Sequence, residues 1–428
     1  MASTWDSGLT FQPHSSNSEI FNNRDNNSSF TFIDFLPECQ EVGGIFSKPQ
    51  FESFRTLIDR ANNWLRDNPK WKIVTCESVE LRTRREIVNV EKMVYMERTD
   101  FLMCYIRGLR LWITEGDGSY KTKQIGYLNV IPQHENATGI FSSPVFESLD
   151  DVVSRFNKMM RTQPIPGRIL TIESQEMKMN TSFEFDPDRS YWVERGDFQK
   201  RFLYIFRIFF VMGDSIPEEI GIADFIPDVI ERGGFLSLPV YENFCNVIEK
   251  ASNWCTRQTG IRICTVQALE MKIKRDHDVY TQKMDFTEHG NRGTFYVKVL
   301  RVAYTRDLSN SPTHMTRLTC RTFVPLPLTR SVFLPKYESL SQTKERVSAW
   351  VKATGVEVLS AQTSALRLWG VGGVSSVIEG SFTYNRAERD EYWIFVIRLF
   401  INGNYHEPPP EMLPPVPDVE DTKCCVIL

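Results

Sequence analysis

The 428-residue chain lacks most of the features that announce catalysis, metal binding or membrane crossing. It has no Gly-x-Ser-x-Gly elbow, no phosphate-binding loop and no dinucleotide fingerprint, which sets aside the best-marked hydrolase and nucleotide chemistries. Gly370, Gly372 and Gly373 crowd together, but no lysine and no helix start follow them, so the sequence predicts a hairpin or bulge there. Histidine is scarce, and His14, His134, His277, His289, His314 and His406 show neither HxxxH nor His-Cys spacing; no metal and no cofactor is expected. CxxC pairs are absent too. Cys39, Cys76, Cys104, Cys245, Cys255, Cys264 and Cys320 are odd in number and read as buried thiols in the main. No apolar run reaches the roughly eighteen residues of a membrane span, no leading segment is built like a signal peptide, and Ala2 excludes myristoylation. Nor is there an excess of one charge. With 50 basic and 54 acidic residues the net charge is −4, and the tightest basic cluster, Arg82, Arg84 and Arg85, is too small to follow a phosphate backbone. No nucleic-acid partner is expected.

What is present is ample apolar material and repetition. At 41% hydrophobic and 12% aromatic residues, the chain can bury several cores and is expected to hold two to four domains. Residues 1–30 are rich in Asn and Ser and read as disordered. Beyond them a period of about 95 residues sets in. Pro37, Pro132, Pro227 and Pro325 close four similar apolar openings and are separated by 95, 95 and 98 residues. A second proline, Pro49, Pro144, Pro239 or Pro335, is followed by an aromatic and a glutamate: Phe51-Glu52, Phe146-Glu147, Tyr241-Glu242 and Tyr337-Glu338. Thirteen residues after each aromatic stands Trp64, Met159, Trp254 or Trp350, and near each repeat's end Arg110, Arg207, Arg301 or Arg398 precedes an apolar triplet. The tryptophans read as core anchors and the arginines as exposed or partner-bonded guanidinia.

Each repeat reads as strand, helix, strand, strand. Phe51, Phe54, Leu57, Ile58, Ala61, Trp64 and Leu65 fall on one face at helical spacing, as do Tyr241, Phe244, Val247, Ile248, Ala251, Trp254 and Cys255. Ser47, Ser142 and Ser237, two residues before a proline, are the expected helix caps; the fourth repeat has Phe333 instead. Apolar and β-branched runs at 72–81, 168–179 and 262–274, and again at 101–114, 201–212, 294–305 and 392–401, are expected strands. The fold class is therefore α+β: four tandem β-α-β-β modules at 31–118, 124–213, 219–306 and 315–403, with helices on one face of antiparallel sheets, paired two by two. A proline-rich tail, 404–428, follows.

One strand per module carries a polar pair on a single face: Thr75 and Glu77, Thr171 and Glu173, Thr265 and Gln267, Ser360 and Gln362. If helices cover the opposite face, these pairs either meet water, as on many half-solvated antiparallel sheets, or line a concave ligand site. The order of elements resembles the gyrase-inhibitor-like and SOUL haem-binding architectures. That resemblance covers 31–403 and implies a concave face that takes small hydrophobic or cationic molecules. It carries no residue-level motif, so no haem or drug contact is assigned from it. Glu77 and Glu173 have the chemistry of an acid and base pair, but no nucleophile accompanies them in sequence, and no enzyme is expected.

The chain ends Cys425-Val426-Ile427-Leu428, a prenylation pattern in which the final leucine favours geranylgeranyl, with Cys424 beside it for a second acyl chain. One lipid alone binds weakly, and only Lys423 is basic nearby, so Cys424 is the expected helper. Residues 406–423 read as an extended acidic tether. The sequence thus predicts a lipid-anchored adaptor at the cytosolic face of a membrane, with a protein partner or small apolar ligand. The alternative is a soluble protein that binds a hydrophobic, cationic or haem-like molecule on the free sheet face.

Overall fold

A computed structural model describes residues 29–43, 49–84, 87–97, 103–116, 123–135, 144–194, 199–234, 238–273, 278–289, 294–307, 315–330, 335–368, 374–385 and 391–421. Helices start where a side chain can cap them. The Ser53 hydroxyl accepts the Thr56 amide ahead of α1 (Phe54–Asp67), and Ser148 with Asp151, then Ser339 with Gln342, form capping boxes before α2 (Leu149–Thr162) and α4 (Leu340–Thr354). Asn243 precedes α3 (Phe244–Cys255) without a side-chain cap bond. The expected caps Ser47, Ser142 and Ser237, together with Phe333 and the Gly370 cluster, lie outside the described residues. The prolines do not open the helices as expected. In three repeats they lead into a short strand, Gln50–Phe51, Val145–Phe146 or Val240–Tyr241, that folds back on the chain just past the first proline. Proline's fixed φ suits this extended entry, while the hydroxyls that reach helix amides come later.

That hairpin gives the repeated glutamate its task. Glu52, Glu147, Glu242 and Glu338 accept the amides of Glu38, Gln133, Asp228 and Leu326, and pair with a helix cation eight residues on: Arg60, Arg155, Lys250 or Arg346. Helix entry and edge strand are thereby fastened together. The apolar face expected of α1 is buried at Phe54, Leu57, Ile58, Ala61 and Leu65, and it packs with Ile125 and Phe209 from the second repeat.

The protein is α+β and rich in antiparallel strands. Among the described residues, four sheets of four or five strands share one order. In each, a long central strand (Met103–Glu115, Gln199–Met212, Thr294–Asp307 or Glu391–Asn402) lies between an inner strand (Trp71–Arg84, Gly167–Met179, Ile261–Lys272 or Glu357–Leu368) and an edge strand (Phe30–Phe35, Ile125–Val130, Glu218–Phe225 or Leu318–Phe323). The edge strand covers only half of the central one. The other half pairs with an arm strand from another repeat: Tyr191–Glu194 on the first sheet, Asp285–His289 on the second, Phe382–Asn385 on the third. Val94–Glu97 of the first repeat pairs with the fourth sheet and closes the cycle. Each arm brings an aromatic that stacks on its host strand: Trp192 on Tyr105, Phe286 on Phe202, Phe382 on Phe295, Tyr95 on Trp393. Such pairs are worth about 0.5–1.5 kcal/mol each beyond their buried area. Pairing two by two would leave an arm and a half-covered central strand unused at the ends of each half; the observed exchange runs through all four junctions instead.

The tail departs from the expected tether. Tyr405 meets Trp350 edge-on at 5.0 Å, Glu407 accepts the Trp350 indole N–H at 2.9 Å, Leu413 packs on the core that contains Trp350, and Glu420–Asp421 pairs in parallel with Thr329–Arg330. Prolines cannot build a core, but they can lie extended along one. No helix among the described residues is long and apolar enough to cross a membrane.

Candidate functional site

The inner strands run along sheet edges, Trp71–Arg84 pairing on its outer side only at its last two residues with Ile87–Val88, and they meet one another. Each has a register irregularity immediately before its predicted Thr or Ser, between Ile73 and Thr75, Ile169 and Thr171, Ile263 and Thr265, and Val358 and Ser360. Such a bulge bends the strand and re-aims the side chains that follow it. They reach the neighbouring inner strand. Thr171 and Glu173 accept the amides of Cys76 and Ser78 at 3.0 and 2.8 Å. Thr265 and Gln267 accept those of Ile172 and Ser174, both at 2.8 Å, and Ser360 and Gln362 accept those of Val266 and Ala268 at 3.1 and 2.8 Å. Glu77 takes the amide of Thr363 and returns the stitch from the fourth repeat to the first. Unpaired strand edges are thus satisfied by side chains, and the pairs are buried except for the half-buried Gln362: Thr75 and Thr171 are 1% exposed, Glu173 2% and Ser360 0%.

Between these strands lies a cavity of about 310 Å³. Glu77, Glu173, Thr265, Gln267 and Gln362 line it, whereas Thr75, Thr171 and Ser360 are absorbed into the strand contacts. Cys424 and Cys425 lie outside the described residues. Glu80, Glu176, Glu270, Lys298 and Arg398 also line the cavity and were not singled out as ligand-facing from the sequence. Strict alternation assigns Glu80 to the face opposite Glu77, yet a strand that forms the rim of a cavity exposes both parities to it. A signal was available: Glu80, Glu176 and Glu270 recur in register, each three residues past the second member of a polar pair.

Burial dominates the electrostatics. It raises the Glu77 carboxyl against the opposing pull of Arg110, the Thr363 amide and the Trp112 indole. It pushes Glu173 up to about 7 despite the Ser78 amide and hydroxyl and Arg207. Glu270 is raised by burial and eased by Lys298, Arg398 and Arg367. Lys298 is pushed down to about 7 by burial and then by Arg398, with Glu270 opposing, and its Nζ donates to the Val377 and Gly380 carbonyls at 2.7 and 2.8 Å. Arg398 is lowered by burial, with Cys320 and Glu270 opposing.

The repeated arginines of the central strands frame this region, all at 2% exposure or less. Arg110 forks Asp34 through Nε and Nη2, both at 2.7 Å, and Arg301 forks Asp224 in the same way. Arg207 donates to Asn129 at 3.0 Å and to the Pro187 carbonyl at 2.6 Å. No protein family, curated protein or solved structure matches the chain.

Proposed function

We propose that the chain is a ring of four β-α-β-β modules that binds a small, hydrogen-bonding molecule in its axial cavity, without catalysis, and that a lipid on Cys425 holds it at a cytosolic membrane face. The observation that carries the binding reading is the cavity itself. Four inner strands contribute to one open-mouthed cavity of about 310 Å³, lined by carboxylates, amides and two buried cations. That volume sits at the lower end of ligand pockets, about 300–1,000 Å³, which favours a metabolite-sized occupant over a haem-sized one. Binding is favoured over turnover because Glu77 and Glu173, the candidate acid and base, are committed to backbone amides of neighbouring strands. The anchor rests on the terminal Cys425-Val426-Ile427-Leu428 pattern.

The test is a thermal-shift and native-mass screen of the whole chain against polar metabolites, repeated on Ala365→Trp. Ala365 lines the cavity, so an indole there fills it. Stabilising ligands lost in the variant support the site; a screen without hits, or hits that bind the filled variant equally, sink it.

A further inference from the structure

Arg398 breaks the pattern that its three counterparts keep. Besides the edge-strand acceptor, each counterpart gives Nη1 to a hydroxyl on an adjacent inner strand: Arg110 to Thr363 at 2.7 Å, Arg207 to Ser78 at 3.0 Å, Arg301 to Ser174 at 3.0 Å. In the fourth repeat both acceptors are gone. The register places Thr322 opposite Arg398, where Asp34, Asn129 and Asp224 face the others. Ala268 occupies the place of Ser78, Ser174 and Thr363, as its amide shows by receiving the Gln362 stitch. The guanidinium is nonetheless buried at 1% exposure, and its Nη2 has no hydrogen-bond partner. An uncompensated buried cation is strongly unfavourable, so such a donor calls for an acceptor. Arg398 and Ala268 both line the axial cavity. Lys298 is a second cation beside it, and Glu270 is the carboxylate they share. Burial raises the Glu270 carboxyl, so it offsets the Arg398 charge only in part.

Resting on the reading of the axial cavity as a ligand site, we infer that Arg398 anchors a carboxylate of the bound molecule through its unpartnered Nη2. The ligand class is therefore a small carboxylic acid, and the planar fork suits it better than a spherical anion.

Acetate is the probe, replacing chloride at constant ionic strength on the full chain. Wild type is expected to melt higher as acetate rises, by roughly 1–3 °C at saturation. Thr322→Asp supplies the carboxylate from within; it should melt higher without acetate and lose the acetate response. Arg398→Gln should lose the response too, and where it fails to fold, Thr322→Asp still decides. An indifferent wild type, or a Thr322→Asp variant that responds as wild type does, overturns the anchor. If acetate has no effect while a screened metabolite binds and is displaced by Ala365→Trp, only the anchor falls. If Ala365→Trp keeps the acetate response and no metabolite binds, the cavity reading falls and an anion corner remains.

Discussion

Glu173 and Gln362 do the same work with different chemistry. Both accept an amide of the adjacent inner strand, but Gln362 also donates to the Ala268 carbonyl at 3.1 Å, which a carboxylate cannot do. Burial therefore holds the Glu173 carboxyl near 7, above its ordinary 4.5. A raised folded value means that stability is intact below about pH 4.5 and falls as pH rises to about 7, by about 3 kcal/mol if the whole shift counts. Glu173→Gln should remove that loss: its melting temperature should exceed that of wild type at pH 8, with the gap closing toward pH 4. A gap independent of pH would refute the protonation argument. At this scale the sequence was informative about which residues matter. The eight polar positions and the four arginines recur in register, but whether a hydroxyl meets water, ligand or a backbone amide depends on what lies beyond the sheet edge, and one strand's alternation does not carry that.

At the scale of elements, long strands were legible and their short partners were not. The observed Trp71–Arg84 and Glu391–Asn402 extend the expected 72–81 and 392–401 by a few residues, because β-branched periodicity fixes the middle of a strand better than its ends. Arms such as Val94–Glu97 pair through backbone groups with a strand nearly three hundred residues away, for which side-chain pattern holds no code. A subtler element contact was hidden in the period. Asn62 and Asn157 stand 95 residues apart, each bridging both backbone groups of an edge-strand residue in the next repeat, Ile125 and Ile220, at 2.8 and 2.9 Å. Helix α1 is thus clamped to the second sheet and α2 to the third. Asn157→Ala leaves the Ile220 amide and carbonyl without the clamp and should cost about 1–3 kcal/mol in denaturant unfolding. A change below about 0.5 kcal/mol would mean that water replaces the side chain at no loss.

For the molecule as a whole, the cyclic exchange of arms ties the first repeat to the last, so the two ends of the repeat array share one sheet. The proposed anchor is tested by Cys425→Ser, which should move the protein from membrane pellet to soluble fraction in a eukaryotic cell; unchanged partitioning would remove the lipid from the account. The docked tail changes what such a lipid would do. Glu420–Asp421 is fastened to Thr329–Arg330, and Cys425 is four residue steps beyond Asp421 in the sequence. At about 3.5 Å per residue that leash reaches about 14 Å, barely past the headgroups. A body moored so closely has little freedom to swing. It would present the fourth repeat's flank to the lipid in a nearly constant pose, which makes the bilayer a neighbouring surface and leaves the opposite side of the ring for anything arriving from the cytosol.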